Sequence, residues 1–246
     1  MSVSTPSRRK SAGRPLIMEL RQVVKVYSGA GGDVLALNGI DLEIREGELL
    51  VVSGRSGSGK TTLINCVTGL DRCTSGEITV AGTRVDQLGT EQAARWRRRN
   101  VGVVFQAFEL LPTLTALENV MLPMDFAGAY SLRVQRQRAF ELLDLVDIAE
   151  HARKVPAALS GGQQQRLAIA RAMANDPRLL AADEPTGSLD SVTAGAVLDV
   201  FEALVARGTT VLMVSHDRDV AARGTRTVML SDGGILPAGD KGTLHA

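Results

Sequence analysis

The amino-acid sequence predicts an α/β fold: a mainly parallel sheet covered by helices, a small antiparallel β layer beside it, and an inserted helical subdomain. Three observations predict it. Short, nearly continuous apolar runs at Leu49 to Val52, Asn100 to Phe105, Leu179 to Ala182 and Gly208 to Val214 read as strands buried on both faces. Longer segments with apolar residues three and four apart separate them and read as helices. A glycine-rich turn, Ser53 to Thr62, joins the first apolar run to a helix.

In chain order, Met1 to Pro15 is polar, carries Arg8, Arg9, Lys10 and Arg14, and lacks the apolar stretch of a signal peptide. It reads as a disordered tail, with residues 16–246 forming one domain. Ile17 to Lys25 alternates as a strand and closes at Val26-Tyr27 before a Ser-Gly-Ala-Gly-Gly loop. A second alternating strand, Ala36 to Ile44, turns at Arg45 to Glu48 into the strand Leu49 to Val52, and these two early strands supply the antiparallel layer. A helix runs from Leu63 to Gly69, a hairpin arm from Ser75 to Gly82, and a helix from about Thr90 to Arg99 with Thr90 as its cap. The strand Asn100 to Phe105 leads into Gln106. Residues about 107–158 lack a strand period and contain an amphipathic helix, Ser131 to Ile148, so they form the helical insertion. A helix Leu167 to Ala174, the strand ending in Asp183-Glu184, a helix to about Ala206 and the strand ending at Val214 complete the core.

The turn at residues 53–62 matches G-x-x-x-x-G-K-[ST] from Gly54 to Thr61. In such a turn Gly54, Gly57 and Gly59, with Ser56, Ser58 and Thr62 around them, let successive backbone N–H groups face a polyphosphate at a helix N-terminus. Lys60 reaches the outer phosphates and the Thr61 hydroxyl ligates Mg²⁺. A second anion-binding helix end is written at Ser160-Gly161-Gly162-Gln163, which one triphosphate in one chain does not need. Asp183 ends a strand opposite the phosphate loop, where it holds Mg²⁺, and Glu184 is placed to polarise an attacking water. His216 lies at a strand's carboxyl edge, where open α/β sheets bind ligands, and reads as a phosphate contact. Tyr27 either stacks on a flat ring or packs in its turn; on the residues alone the packed turn is favoured.

Composition narrows the classes. Net charge is +1 and mean hydropathy +0.05, and no window approaches the roughly 20 apolar residues of a membrane span. The only dense basic run, Arg95 to Arg99 around Trp96, reads as a helix C-terminus complementing its dipole, so no nucleic acid is expected. Cys66 and Cys73 have neither metal nor redox spacing and read as reduced and structural.

The order of these elements resembles the nucleotide-binding subunit of ATP-binding cassette (ABC) proteins over about Ile17 to Leu236. The phosphate loop, a glutamine after a strand, Leu159-Ser160-Gly161-Gly162-Gln163, an apolar strand ending in Asp-Glu, Ser188-Leu189-Asp190 and a final histidine occur in the family's order. The resemblance implies a P-loop NTPase core and ATP with Mg²⁺ as ligands. It implies that Tyr27 stacks on adenine, that Gln106 senses γ-phosphate and Mg²⁺, and that Ser160 and Gly162 bind ATP held by the opposite subunit. It makes Glu184 the general base, places Asp190 at the dimer seam, and gives His216 the γ-phosphate and water. Leu110 to Val120, Gly162 to Arg166 and Asp183 to Ser191 are most similar to the lipoprotein-release and macrolide-export group, with Ala181-Ala182 smaller than usual for that strand. The implied protein is an ATPase that dimerises on ATP and drives separate transmembrane permease subunits from the cytoplasmic face of the inner membrane. The alternatives are a mechanical regulator of a membrane partner, a soluble DNA-repair or translation ATPase, and a small-molecule kinase.

Overall fold

The computed structural model describes residues 13–29, 31–128 and 130–237. Arg8, Arg9 and Lys10 of the basic tail lie outside them. The end of that tail is held in place. Arg14 Nη1 donates to the Glu46 and Gly47 carbonyls, and Pro15 O accepts from Glu46 N at 2.9 Å.

Ten strands and seven α-helices follow in the order β1 (Leu16–Gly29), β2 (Gly32–Arg45), β3 (Leu49–Ser53), α1 (Lys60–Val67), β4 (Ser75–Val80), β5 (Thr83–Arg84), α2 (Thr90–Asn100), β6 (Val101–Val104), α3 (Ala116–Ala127), α4 (Leu132–Leu145), α5 (Gly161–Ala172), β7 (Leu179–Asp183), α6 (Ser191–Ala206), β8 (Val211–Ser215), α7 (Arg218–Arg223), β9 (Arg226–Ser231) and β10 (Gly234–Ile235). Two sheets result. One has the order β2-β1-β4-β5 and is antiparallel; the other has the order β10-β9-β3-β8-β7-β6 and is parallel except where β10 returns along β9. The mainly parallel sheet with a small antiparallel layer is therefore the arrangement the sequence predicts.

The apolar runs are continuous because the central strands are buried twice. Leu49 and Val51 of β3, Leu180 and Ala182 of β7, and Val211 and Met213 of β8 face one core, with α3 to α6. Their alternates Leu50 and Val52, Leu179 and Ala181, and Leu212 and Val214 face a second core, with α1 and the antiparallel sheet. Side chains of a strand alternate between faces, so burial on both removes every polar alternate. Ala181 and Ala182 are both fully buried, one in each core.

Several expected boundaries move, each for a local reason. The first two strands extend to Gly29 and back to Gly32, so the five-residue loop shrinks to a hairpin turn. Thr90 is not a cap: Gly89 takes that position, Gln92 Oε1 accepts from its backbone N–H at 3.0 Å, and Thr90 is the first helical residue. Asn100 belongs to α2 rather than to β6. Within residues 107–158, α3 forms despite Pro123, started by a capping box in which Thr115 Oγ1 accepts from Glu118 N and Glu118 Oε2 accepts from Thr115 N. The helix expected over Ser131 to Ile148 is α4, ending at Leu145. Both cysteines are free thiols; burial pushes Cys66 up to about 12 and raises Cys73.

Among the described residues Phe201 on α6 is the largest fully buried side chain, whereas Val192 on the same helix is 84% exposed. Phe201→Ala is expected to lower unfolding stability by about 3–5 kcal/mol. Val192→Ala should stay within about 0.5 kcal/mol, both read by urea denaturation.

Candidate nucleotide-binding and hydrolysis site

Four strands of the parallel sheet end at one edge, and each delivers one part of the site. β3 delivers the turn at residues 54–59, β6 delivers Gln106, β7 delivers Asp183 and Glu184, and β8 delivers His216. The edge is fixed by register, with Ser53 opposite Ser215 and Asp183 opposite Val214. Tyr27, Ser56, Gly57, Gly59, Lys60, Thr61, Thr62, Gln106, Glu184 and His216 then line one cleft of 570 Å³. A larger cleft of 940 Å³ lies between the two sheets around Glu19, Asp41 and Arg226, and contains none of these groups.

The turn is shaped for an anion. Gly59 has φ +103° as the cap of α1, and a β-carbon there would meet the Ala36 carbonyl oxygen at 2.3 Å, so the backbone must be bare. The eight-residue helix α1 starts at Lys60, three residues earlier than the apolar pattern alone begins, and carries no acidic residue in its first turn. Its free N–H groups therefore keep their positive end for a ligand. Lys60 Nζ, on a buried side chain, donates to the Gly54 and Arg55 carbonyls at 2.8 and 2.9 Å and lies 3.6 Å from Glu184 Oε1. A buried ammonium held by its own loop is prepaid in desolvation and needs only to exchange carbonyls for phosphate oxygens.

The acidic pair divides its work. Burial raises the Asp183 carboxyl and the neighbouring Glu184 charge adds to this, while the Thr61 hydroxyl and Lys60 pull it down. Asp183 Oδ1 is buried with no hydrogen-bond partner, and Ser58 Oγ in the turn is likewise unpartnered. Glu184 has φ +46°, a left-handed conformation that costs a non-glycine residue about 1–3 kcal/mol. It is pinned there by its own N–H donating to Val214 O at 3.0 Å and its carbonyl accepting from Gly187 N at 3.0 Å. That twist turns its carboxylate into the cleft, where Oε2 lies 3.0 Å from His216 Nδ1 and accepts from His216 N at 3.3 Å. A carboxylate oxygen here accepts from Nδ1–H, which leaves Nε2 for a ligand.

The second anion-binding end lies outside this cleft. α5 begins at Gly161, six residues before the apolar pattern suggests, because Ser160 and Gln163 close a capping box: Ser160 Oγ accepts from Gln163 N and Gln163 Oε1 accepts from Ser160 N. Ser160 and Gly161 are exposed. Gly162 is buried, and a β-carbon there would meet Thr193 Cγ2 of α6 at 2.2 Å.

A family model described as "ABC transporter" matches residues 37–187, more than half of the chain. An ABC transporter ATP-binding protein of Thermotoga maritima is 44% identical over 229 residues, 93% of this chain and 97% of that protein. The chain belongs to the ABC transporter family. As an ATP-binding cassette it is an ATP-binding and ATP-hydrolysing subunit. A macrolide export ATP-binding/permease protein of Syntrophobacter fumaroxidans is 47% identical over 223 residues, 90% of this chain but 31% of that longer protein. Among solved structures, a dimeric post-hydrolysis state of the ATP-binding cassette MJ0796 with ADP and Pi matches at TM-score 0.82 and 41% identity, covering 90% of this chain and 97% of that one.

Two expected ligand contacts of the cassette have internal partners. Gln163 uses its amide oxygen on Ser160 N and its amide nitrogen on His151 Nε2, 2.8 Å away. Asp190 caps α6, accepting from Val192 N, Thr193 N and Thr193 Oγ1, and these bonds hold its carboxyl below the usual range. Val34, Leu35 and Ala36 of β2 line the cleft and escape sequence reasoning as site residues; the apolar pair Val34-Leu35 just past Gly32-Asp33 was the available signal, and in the fold Val34 pairs with Tyr27. Tyr27 itself is 40% exposed and lines the cleft, so it is not a packed turn residue.

Lys60→Ala removes the ammonium from the phosphate turn and is expected to weaken ATP binding by about tenfold or more, the scale of one charge-assisted contact. Isothermal titration with ATP checks it, with the melting temperature of the unliganded variant confirming that the fold survives.

Proposed function

We propose that this cassette dimerises on ATP and, through hydrolysis, drives a separate membrane permease of the export or extraction type. The observation that carries the reading is the second anion-binding end. Ser160 and Gly161 sit exposed at the start of α5, apart from the cleft that their own chain's phosphate loop builds. They have a use when a second copy faces the first head to tail and each α5 closes the other's cleft. Asp190 beside them belongs to the same seam. The macrolide export relative joins such a domain to a permease in one chain, and by its name exports macrolides. Among the described residues no helix is long and apolar enough to cross a membrane. The Thermotoga maritima relative is matched over 97% of its length; on this reading the permease is a separate chain, and this subunit sits against it on the cytoplasmic face of the inner membrane, with residues about 107–158 as its helical subdomain.

Mg²⁺ fits the residues present. The buried, partnerless Asp183 Oδ1 and the Thr61 hydroxyl are hard oxygen donors, with Gln106 exposed at the cleft's mouth, and a cation there satisfies an atom otherwise left bare. When bound, the ion neutralises charge on the phosphate oxygens. The chain's own groups do the rest by positioning and charge. The turn's N–H groups and Lys60 hold the phosphates, Glu184 accepts a proton from the attacking water, and the His216 ring, fixed by Glu184, presents Nε2 towards phosphate and water. Tyr27 carries the adenine.

Glu184→Gln keeps the shape and loses the proton acceptor. It is expected to bind ATP nearly as the parent does and to lower turnover by about 10²-fold or more. Phosphate release measures it, and turnover at the parent's rate would remove Glu184 from this role. The same variant with ATP and Mg²⁺ should capture a multi-span protein from solubilised host membranes. Capture of soluble proteins alone contradicts the permease assignment.

A further inference from the structure

Tyr27 is held by a pair of side chains that none of the site's motifs contains. Asp71, in the turn after α1, accepts the Tyr27 hydroxyl on Oδ2 at 2.8 Å and the Lys25 ammonium on Oδ1 at 2.8 Å. Lys25 Nζ also donates to Arg72 O at 2.7 Å, and the Lys25 side chain is only 11% exposed. The same ammonium lies 4.5 Å from the centre of the Tyr27 ring. Lys25 and Tyr27 are two apart on β1 and so share a face of the strand. Asp71 is itself fixed by accepting from Arg72 N at 2.7 Å, while its own N–H donates to Asn65 O of α1 at 3.0 Å.

We infer that Asp71 and Lys25 are positioning residues for nucleotide binding: they lock Tyr27 as a one-faced platform, with the cation on one face of the ring and the other face open to the cleft. This rests on the reading above that Tyr27 stacks on adenine. A tyrosine that is 40% exposed at a strand end normally samples several rotamers, and a ligand that stacks on it must stop that motion. Here the motion is stopped in advance. The hydroxyl is tied to a carboxylate, and a partly desolvated cation–π contact fixes the ring plane. The cleft that Tyr27 lines is also lined by Val34, Leu35 and Ala36, none of which carries a polar side chain, so it offers apolar contact at this end. The arrangement also sets a distance. α1 starts at Lys60, at the phosphates, and the turn that ends it carries Asp71, so one rigid unit places both the phosphate cradle and the base platform.

The test compares ligands with and without a base on the full chain: ADP and inorganic pyrophosphate, each titrated calorimetrically with Mg²⁺ present. Asp71→Ala and Lys25→Met are each expected to weaken ADP about five- to tenfold, the scale of losing preorganisation at one anchor, with pyrophosphate affinity unchanged within twofold. Steady-state ATP hydrolysis should show the loss in KM, with kcat changed less than twofold. Tyr27→Phe, which keeps the ring and drops the hydroxyl, should make a following Asp71→Ala less damaging than it is alone. Equal weakening of ADP and pyrophosphate in both variants would mean a merely structural role for the pair and overturn the inference, as would unchanged ADP affinity. Tyr27→Ala separates the two layers. If it spares ADP, the stacking reading itself fails; if it weakens ADP while Asp71→Ala and Lys25→Met do not, only the positioning inference falls.

Discussion

Everything at the site depends on the register of three neighbouring parallel strands. β3, β8 and β7 are paired so that Ser53, Ser215 and Asp183 end together at one edge. Side chains alternate with a period of two, so a slip of one residue would turn Asp183 into a core and put an apolar residue beside Lys60. The slip is prevented by burial on both faces, because each strand offers one apolar set to the helices and another to α1 and the antiparallel sheet. Fold stability and site geometry are thus one constraint.

Against that rigid edge, the polar groups are left short of partners in a directed way. Lys60 donates to loop carbonyls and lies 3.6 Å from Glu184, Asp183 Oδ1 has no partner, and Glu184 is twisted to φ +46°. Buried polar atoms without partners are costly, and in the function proposed above nucleotide with Mg²⁺ supplies what is missing. The α5 end is different, since its capping box satisfies the helix start while Ser160 and Gly161 remain exposed. In the function proposed above, a completed site takes two copies of the chain, with ATP as the piece that both copies contact.

Much of this was legible in the residues. The continuous apolar runs marked β3, β6, β7 and β8, and the phosphate turn, Asp183-Glu184 and His216 lay at the strand ends where the structure places them. What escaped reading has physical causes. β9 starts at Arg226-Thr227 and is half-exposed, so it lacks an apolar run. The first turn of α5 opens on Gly161 and Gly162, poor helix formers by propensity, and forms because reciprocal capping between Ser160 and Gln163 outweighs that cost. Gln163 and Asp190 stand in a binding motif, but their side chains are spent on their own helix starts, which spacing alone does not reveal. Asp71 and Lys25 lie 46 residues apart, and only the folded chain brings them to Tyr27.

The central claim is that one chain holds half of each catalytic site. Specific ATPase activity measured against protein concentration, in detergent-free buffer with saturating ATP and Mg²⁺, tests it most directly. The account predicts that activity per chain falls towards zero on dilution and rises with concentration as a second-order process until it saturates. Activity per chain that stays constant down to the lowest measurable concentration, with the protein monomeric throughout, would contradict it.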